Sequence, residues 1–281
     1  LVMASDPDAD RVGAAVKNNE GEWVLLNGNQ TALMFVYYLI TRWKELGKIN
    51  GKEYIVKTIV TTETIKTIAE RNGVEIYDVY TGFKWIANVM RENEGKKNYI
   101  GGGEESYGFL CEDFVRDKDA VSACVILAEI AAWAKDQGLS LYQLLQKIYV
   151  EYGFSKEKGI SVVKKGKSGA EEIEAMMKKF RENPLTEIAG SKVTYFYDYS
   201  TLKGKDYAEN ETVTLDMPTT SNVLQYFTED NTKVSIRPSG TEPKIKFYCE
   251  VHSKVKSIDE LPEAEKAAEE KINQIKASLG I

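Results

Sequence analysis

Short apolar segments alternate with segments of helical periodicity between residues 54 and 137, and this alternation constrains the fold more than any other feature of the sequence. Strands that alternate with helices are typical of a doubly wound sheet, parallel or mixed. The predicted strands are 54–59, 75–79 and 99–100, and the predicted helices are 64–72, 84–92 and 118–137. We therefore predict an α/β domain over residues 48–155.

The segments on either side of this region predict two further parts. The chain opens with an apolar run that stops at Asp6, which is typical of the end of a buried strand. Because a buried strand needs a neighbour on each edge, we expect residues 1–47 to be the C-terminal part of a truncated α/β domain in a longer protein. A polar, aromatic hinge is predicted at 149–158. Beyond it, successive strands with two helices predict a smaller α+β domain over residues 156–281.

Composition argues against several classes of protein. The net charge of −6 disfavours a non-specific nucleic-acid binder, which needs a basic face. No apolar stretch reaches the roughly 18 residues that a membrane span needs, and no signal peptide is predicted. The three cysteines lie far apart, which favours reduced thiols in a cytoplasmic protein. The single histidine, His252, excludes a zinc site built from several histidines.

Three aspartates at alternate positions form the first candidate site. Asp6, Asp8 and Asp10 follow the opening apolar run, and three carboxylates this close repel one another unless a cation lies among them. Hard oxygen ligands in this number suit Mg²⁺, whereas a calcium EF-hand is excluded because Arg11 and Lys17 stand where that motif needs glycine and glutamate. Arg11 could stabilise a transferring phosphoryl group. The alternative is a solvated acidic turn.

A glycine-rich segment, GGGEESYG at 101–108, follows the third predicted strand and forms the second candidate site. Glycine lets the backbone approach a ligand closely, and a carboxylate with a nearby hydroxyl can bind sugar hydroxyls. Glu104 and Ser106 are therefore candidate sugar ligands. Taken alone, the segment is equally compatible with a flexible glycine turn that carries surface glutamates.

The third candidate site is RPSGTEPK at 237–244, between two predicted strands. Arginine pairs with phosphate through two hydrogen bonds, and Arg237 is followed by the hydroxyls of Ser239 and Thr241 on either side of Gly240. Hydroxyls and backbone amides around a glycine can form an anion-binding nest, and the flanking prolines stiffen the loop. The alternative is a β-hairpin turn with exposed charges.

Isolated charged residues give weaker signals. Lys57 lies in an apolar strand and Lys84 lies near a predicted helix start. Either could contact a phosphate or carry a proton, although a lone lysine is more commonly solvated. The charged run at 116–119 is most simply interpreted as a helix cap.

Together and in this order, DPDADRVG, GGGEESYGFL and RPSGTEPKIKFY resemble the motifs of the α-D-phosphohexomutase superfamily, especially its bacterial phosphoglucomutase/phosphomannomutase branch. The resemblance covers essentially the whole chain. It implies a four-domain enzyme whose second, third and fourth domains supply a metal loop, a sugar loop and a phosphate loop. It also implies that TGFK supplies an active-site lysine. The residues to which it assigns roles are Asp6, Asp8 and Asp10 for Mg²⁺, Glu104 and Ser106 for sugar hydroxyls, Arg237, Ser239, Gly240 and Thr241 for the non-reacting phosphate, Lys84 for proton transfer, and Lys57 near the phosphate.

The family's catalytic phosphoserine lies in a loop with a histidine in the first domain, and this sequence has no matching loop. We expect the complete protein to interconvert glucose 1-phosphate and glucose 6-phosphate through a phosphoserine and a bisphosphorylated sugar. Its expected partners are a hexose phosphate and the missing N-terminal domains, and we expect this chain alone to be inactive. A phosphomannomutase, a phosphoglucosamine mutase and a phosphopentomutase are alternatives. Outside the class, an aspartyl-phosphate phosphatase with Asp6 as nucleophile and a non-catalytic phosphosugar-binding module remain open.

Overall fold

The structure, a computed structural model, describes residues 1–164, 166–240 and 242–281. The chain divides into two compact units, which are Leu1–Phe154 with Val255–Ile258, and Ser155–Lys254 with Asp259–Ile281. The first unit is α/β and the second is α+β, so the predicted fold class is confirmed. The predicted separation of residues 1–47 from 48–155 stays a prediction. Among the described residues, no helix is both long enough and apolar enough to cross a membrane.

A small antiparallel sheet opens the first unit. Its strands, in spatial order, are β1 (Val2–Ser5), β2 (Val12–Lys17) and β3 (Trp23–Leu26). Alternate residues of β2 are buried, whereas all four residues of β1 are exposed or half-buried. In this chain β1 pairs only with β2 among the described strands, so burial of the opening strand within a longer protein stays a prediction. An apolar run does not by itself distinguish an edge strand from a central one.

The main sheet of the first unit is mixed. Its strands are β4 (Glu53–Thr58), β5 (Glu75–Val79), β6 (Asn98–Gly103) and β7 (Phe109–Cys111), and they lie in the order β5–β4–β6–β7. Strand β4 pairs in parallel with β5 and β6, and β6 pairs antiparallel with β7. All six residues of β4 are buried, as expected of a strand that is covered on both faces. The register shifts by one residue at Ile100, and such a bulge re-aims the residues that follow it.

Five helices pack against these sheets in the first unit: α1 (Gly28–Glu45), α2 (Thr64–Arg71), α3 (Phe83–Asn93), α4 (Ala120–Asp136) and α5 (Leu141–Tyr152). Helix α5 is not anticipated by the sequence analysis. The two units divide between Phe154 and Ser155, inside the predicted hinge segment at 149–158, and the hinge itself stays a prediction. The sequence signals of α5 are a capping box between Ser140 and Gln143 and an apolar stripe that becomes buried. The stripe consists of Leu141, Leu144, Leu145 and Ile148.

The second unit has one large sheet. Its strands are β8 (Phe154–Val163), β9 (Glu187–Ile188), β10 (Ser191–Asp198), β11 (Lys203–Asp206), β12 (Glu211–Thr214), β13 (Leu224–Thr228), β14 (Lys233–Pro238) and β15 (Lys244–Ser253). Their spatial order is β12–β11–β10–β13–β14–β15–β8, and β9 pairs with β10. Helices α6 (Gly166–Glu182) and α7 (Leu261–Leu279) pack on this sheet, with the rings of Phe180 and Phe247 6.2 Å apart.

A buried ionic cluster lies at the end of β15 in the second unit. The side chains of Lys233 and Glu250 are 2% and 3% exposed and are 2.9 Å apart, and His252 Nε2 lies 2.7 Å from Glu250 Oε1. Burial lowers the pKa of His252, but Glu250 and the more distant Glu157 outweigh it and raise that pKa above its ordinary value. Burial would raise the pKa of the Glu250 carboxyl, but Lys233 and His252 hold that pKa well below its usual range.

This cluster predicts a pH-dependent stability. Because the folded state holds the His252 proton more tightly than the unfolded chain, the stabilisation is complete below about pH 6.5 and is lost as pH rises through the folded-state pKa. Since His252 is the sole histidine, a proton NMR titration follows one imidazole signal. We expect a midpoint above 6.5 and a weaker pH dependence of thermal unfolding in His252→Gln. A midpoint at or below 6.5 would contradict this account.

Candidate functional site

The aspartate loop, residues 6–11, connects β1 to β2 and is shaped by its first side chain. Asp6 Oδ1 accepts hydrogen bonds from the backbone amides of Asp10 (3.1 Å) and Arg11 (3.2 Å). Desolvation would raise the pKa of the Asp6 carboxyl, but these amides and the Arg11 guanidinium hold it below its usual value. Asp6 is therefore ionised at neutral pH, and its hydrogen bonds to the far end of the loop fix the loop conformation.

The two carboxylate oxygens of Asp10 have different surroundings. Oδ2 lies 2.6 Å from Lys118 Nζ, and the Lys118 side chain is only 13% exposed. Oδ1 is buried and accepts no hydrogen bond from the described residues, although Arg11 Nε lies 3.5 Å away. Asp8, by contrast, is exposed.

The donor chemistry of this loop fits Mg²⁺, but the loop does not present a finished metal cluster. Within the described part of the chain, no three His, Cys, Asp or Glu side chains are grouped so that they could hold a metal ion. Carboxylate oxygens are nonetheless the ligands that Mg²⁺ prefers, and a cation would satisfy the buried Asp10 Oδ1 that lacks a hydrogen bond. Mg²⁺ at Asp6, Asp8 and Asp10 stays a prediction.

The glycine loop, residues 101–108, leads from β6 to β7 and holds Glu104 firmly. Glu104 is 7% exposed, and its Oε1 accepts a hydrogen bond of 2.8 Å from the Gly82 amide. Gly82, in the turn before α3, has φ 113°, a conformation that glycine adopts without a steric penalty. Ser106 is half-buried on the same loop. The structure thus fixes Glu104 in place, and its role and that of Ser106 as sugar ligands stay predictions.

The aspartate loop and the glycine loop are joined through the backbone, although about a hundred residues separate them in the sequence. The Val12 amide, which directly follows the aspartate loop, donates a hydrogen bond of 3.2 Å to Tyr107 O. At the start of α1, a methyl group on Gly28 would lie 2.0 Å from Glu105 O and 2.7 Å from Tyr107 N. The helix therefore packs directly against the backbone of the glycine loop.

Lys84 is exposed at the start of α3, and its Nζ lies 5.1 Å from the centre of the Trp85 ring. It lines a cavity of about 750 Å³, a size typical of small-molecule sites. The cavity is rich in charge of both signs. Its other charged lining residues are Arg91, Glu94, Asp113, Arg116 and Asp117. Proton transfer by Lys84 stays a prediction.

Lys57 is only 1% exposed and forms ion pairs inside the first unit. Its Nζ lies 2.6 Å from Asp78 Oδ1 and 2.9 Å from Glu63 Oε1. Pairing of this kind is what a buried ammonium requires. These contacts connect β4 to β5 and to the start of α2, so Lys57 has a structural role here. Contact with substrate stays a prediction.

The phosphate loop, residues 237–244, lies in the second unit between β14 and β15. The Ser239 amide donates to Lys244 O (2.8 Å), and Ser239 Oγ accepts a hydrogen bond of 3.3 Å from the Glu242 amide. Gly240 is exposed, with open space where a side chain would begin. Thr241, also predicted as a phosphate ligand, lies outside the described residues.

Cross-strand register places two cations side by side at this loop. Arg237 on β14 lies directly opposite Lys246 on β15, and both are half-buried. Like charges directly opposite each other destabilise a sheet, whereas a bound phosphate would make the pair favourable. The pairing therefore supports an anion site at the base of the loop.

Three residues that lie beside these loops were missed by the sequence analysis: Gly82, Lys118 and Lys246. For Gly82, the signal was a glycine two residues before the predicted helix at 84–92. The run at 116–119 was interpreted as a helix cap, and Asp119 does cap α4 through the amides of Val121 and Ser122. Lys118 within that run instead reaches Asp10. A cross-strand contact such as that of Lys246 depends on register, which single-sequence reasoning did not supply.

Two family models match the chain. Residues 27–152 match "Phosphoglucomutase/phosphomannomutase, alpha/beta/alpha domain III", and residues 161–268 match "Phosphoglucomutase/phosphomannomutase, C-terminal domain". The first match contains the glycine loop and Lys84, and the second contains the phosphate loop. The aspartate loop lies before both matches.

Curated relatives carry the name phosphoglucomutase. The protein of Staphylococcus aureus strain MRSA252 is 38% identical over 248 residues, which is 88% of this chain and 44% of that protein. The protein of Staphylococcus haemolyticus is 34% identical over 252 residues, which is 90% of this chain and 45% of that protein. The chain thus spans about half the length of the curated relatives that it matches.

Solved structures show the same fold. The open form of parafusin, a phosphoglucomutase from Paramecium, superposes with a TM-score of 0.58 at 17% identity, over 97% of this chain and 45% of that one. A phosphoglucomutase/phosphomannomutase family protein from Burkholderia thailandensis gives a TM-score of 0.58 at 17% identity, over 99% of this chain and 46% of that one. At these identities the likeness concerns the fold alone.

Proposed function

This chain belongs to the α-D-phosphohexomutase superfamily, and from that premise we propose that it forms the sugar-binding and phosphate-binding portion of an enzyme that interconverts glucose 1-phosphate and glucose 6-phosphate. The observation that carries the proposal is the junction of the aspartate loop with the glycine loop. The hydrogen bond from Val12 to Tyr107 O holds a charged loop beside a loop suited to sugars. The packing of Gly28 against Glu105 O holds the glycine loop against α1.

The glycine loop would orient the sugar. Glu104 Oε1 accepts a hydrogen bond from the Gly82 amide. The carboxylate has further acceptor sites that are available to sugar hydroxyls. Because Glu104 is buried and anchored, little side-chain entropy is lost when a ligand binds. Ser106 would add a hydroxyl on the same side of the ring, and Lys84 would donate or accept the proton of the reacting hydroxyl.

Charge stabilisation would come from the aspartate loop and the phosphate loop. Asp6, Asp8 and Asp10 would hold Mg²⁺, which when bound neutralises charge in phosphoryl transfer. Arg11, next to these aspartates, would contact the transferring phosphoryl group. In the second unit, Arg237 and Lys246 would pair with the non-reacting phosphate, with Ser239 and the Gly240 backbone completing the anion site.

The phosphoserine that starts the cycle would come from an N-terminal portion like that of the longer relatives. The outward face of the small sheet supports this inference. Val2, Trp23 and Leu25 are 54%, 55% and 82% exposed, and Val2 and Leu25 flank Ala15 on that face. An antiparallel sheet that faces water normally carries polar residues there. We infer that the N-terminal portion covers this apolar face.

Binding without turnover is the expected behaviour of the chain on its own. We expect calorimetry to detect binding of glucose 6-phosphate to the chain. We expect a coupled assay to detect no conversion of glucose 1-phosphate to glucose 6-phosphate. Mg²⁺ should strengthen binding of glucose 1,6-bisphosphate, whose second phosphate can ligate the metal, and should leave glucose 6-phosphate binding unchanged. Equal bisphosphate binding with and without Mg²⁺ would favour a non-catalytic binding module. Tighter binding of mannose 6-phosphate would favour a phosphomannomutase.

A further inference from the structure

Lys118 connects three segments of the first unit. Its Nζ lies 2.6 Å from Asp10 Oδ2 in the aspartate loop, and its stem passes so close to the glycine loop that a methyl group on Gly108 would lie 2.5 Å from Lys118 Cδ. Two residues further on, the Ala120 amide at the start of α4 donates to Ala9 O over 3.0 Å. The backbone on both sides of the ion pair is thus fixed.

The ion pair with Lys118 involves only one of the two carboxylate oxygens of Asp10. The Lys118 ammonium occupies Oδ2. Oδ1 is buried and accepts no hydrogen bond from the described residues, and the cationic Arg11 Nε lies 3.5 Å from it. A carboxylate anchored through one oxygen cannot turn freely to offer both oxygens to a second cation. Asp10 is therefore set up to contribute Oδ1 alone.

We propose that Lys118 is a positioning residue that makes Asp10 a one-oxygen ligand and so favours Mg²⁺ over Ca²⁺ at the aspartate loop. The inference rests on the proposed function, which assigns the metal to this loop. Mg²⁺ takes six ligands in near-octahedral geometry, whereas Ca²⁺ takes six to eight and commonly uses both oxygens of a carboxylate. Occupation of Oδ2 therefore costs Ca²⁺ a ligand and costs Mg²⁺ none.

The ratio of the two affinities isolates this effect. The Lys118 ammonium repels both divalent cations by similar amounts, since they carry the same charge. Its removal therefore changes both affinities through charge in the same direction. A looser loop would by itself favour Ca²⁺, whose coordination geometry is more flexible. The ratio of the Ca²⁺ and Mg²⁺ dissociation constants is therefore compared only between variants whose Tm matches that of the parent, where a change reports on the oxygens that Asp10 can offer.

The test is calorimetric titration of the chain with MgCl₂ and with CaCl₂. We expect Lys118→Met to shift the ratio of dissociation constants towards Ca²⁺ by about 10-fold, which equals the smallest change in affinity for a single metal that loss of an outer-shell partner typically causes. Lys96→Met, which removes an exposed lysine elsewhere in the same unit, is the matched control and should leave the ratio unchanged. Thermal unfolding checks that each variant is folded.

A second variant provides the test if Lys118→Met does not fold. Gly108→Ala keeps the ammonium but displaces the Lys118 stem, so it should shift the ratio in the same direction. A ratio within twofold of the parent in the folded variants would overturn the role of Lys118 while leaving the metal loop intact. A parent chain that binds neither ion would overturn this inference and the metal assignment together. Glucose 6-phosphate binding, measured without metal, would still test the rest of the proposed function.

Discussion

Replacement of Glu104 with alanine is expected to weaken glucose 6-phosphate binding by about 100-fold. Hydrogen bonds to a charged group contribute roughly 1.5–3 kcal/mol each, and loss of two of them to sugar hydroxyls amounts to about 3 kcal/mol, or about 100-fold in the dissociation constant. The same change also frees the Gly82 amide at the turn before α3. Calorimetric titration of parent and variant with glucose 6-phosphate measures the effect.

Two further variants show whether the carboxylate itself is responsible. Glu104→Gln keeps the size of the side chain and one carbonyl acceptor, and it should lose less affinity than Glu104→Ala. Glu92→Gln changes a surface position on α3, where Glu92 Oε1 accepts from Asn88, and it should bind like the parent. If Glu104→Ala bound within threefold of the parent while remaining folded, Glu104 would not be a sugar ligand.

Gly28→Ala is expected to destabilise the first unit by about 3 kcal/mol, at the upper end of the cost of overpacking. An alanine near the start of a helix ordinarily improves stability over glycine by roughly 0.5–1 kcal/mol. Here the sign reverses because the added methyl group would lie 2.0 Å from Glu105 O, a backbone atom that cannot simply rotate away. In a unit of this size the loss corresponds to a fall of about 6–12 °C in Tm.

The matched control is Gly13→Ala in the same unit. A methyl group there would have Ala4 O at 3.9 Å as its nearest neighbour, an ordinary contact, so we expect a shift of under about 0.5 kcal/mol. Thermal unfolding followed by circular dichroism compares the two variants. An unchanged Tm in Gly28→Ala would mean that α1 does not press against the glycine loop, and the account would lose one of the contacts that hold that loop in place.

The contacts of Asp6 bear on the alternative chemistry in which it acts as a nucleophile. Its Oδ1 accepts two backbone amides of its own loop, and its pKa is lowered by them. An oxygen engaged in this way is a weaker nucleophile, because its lone pairs are already shared with donors. The geometry therefore gives Asp6 Oδ1 a loop-forming role, which weighs against its use as the nucleophile of an aspartyl-phosphate intermediate.

Local signals in the sequence were sufficient for most of the architecture. The alternation of strands and helices predicts the mixed sheet, because periodicity and turn residues act over a few positions. The loop at 237–244 was predicted between two strands and lies between β14 and β15. Asp119 caps α4, which therefore starts two residues later than predicted.

Contacts between distant segments could not be predicted in the same way. Asp10 and Lys118 are more than a hundred residues apart, and nothing local to either residue indicates that they meet. Burial of Lys57 between Glu63 and Asp78 depends on the parallel pairing of β4 with β5. The exposure of β1 likewise depends on which strands lie beside it, and an apolar sequence does not determine that.

The central claim is that the glycine loop recognises sugar hydroxyls and the phosphate loop recognises phosphate. Backbone amide NMR of the chain tests it directly by titration with inorganic phosphate, glucose and glucose 6-phosphate. We expect phosphate to shift signals from residues 237–246, glucose to shift signals from residues 101–108, and glucose 6-phosphate to shift both sets. Shifts confined to other residues, or no shifts with glucose 6-phosphate at millimolar concentration, would contradict the claim.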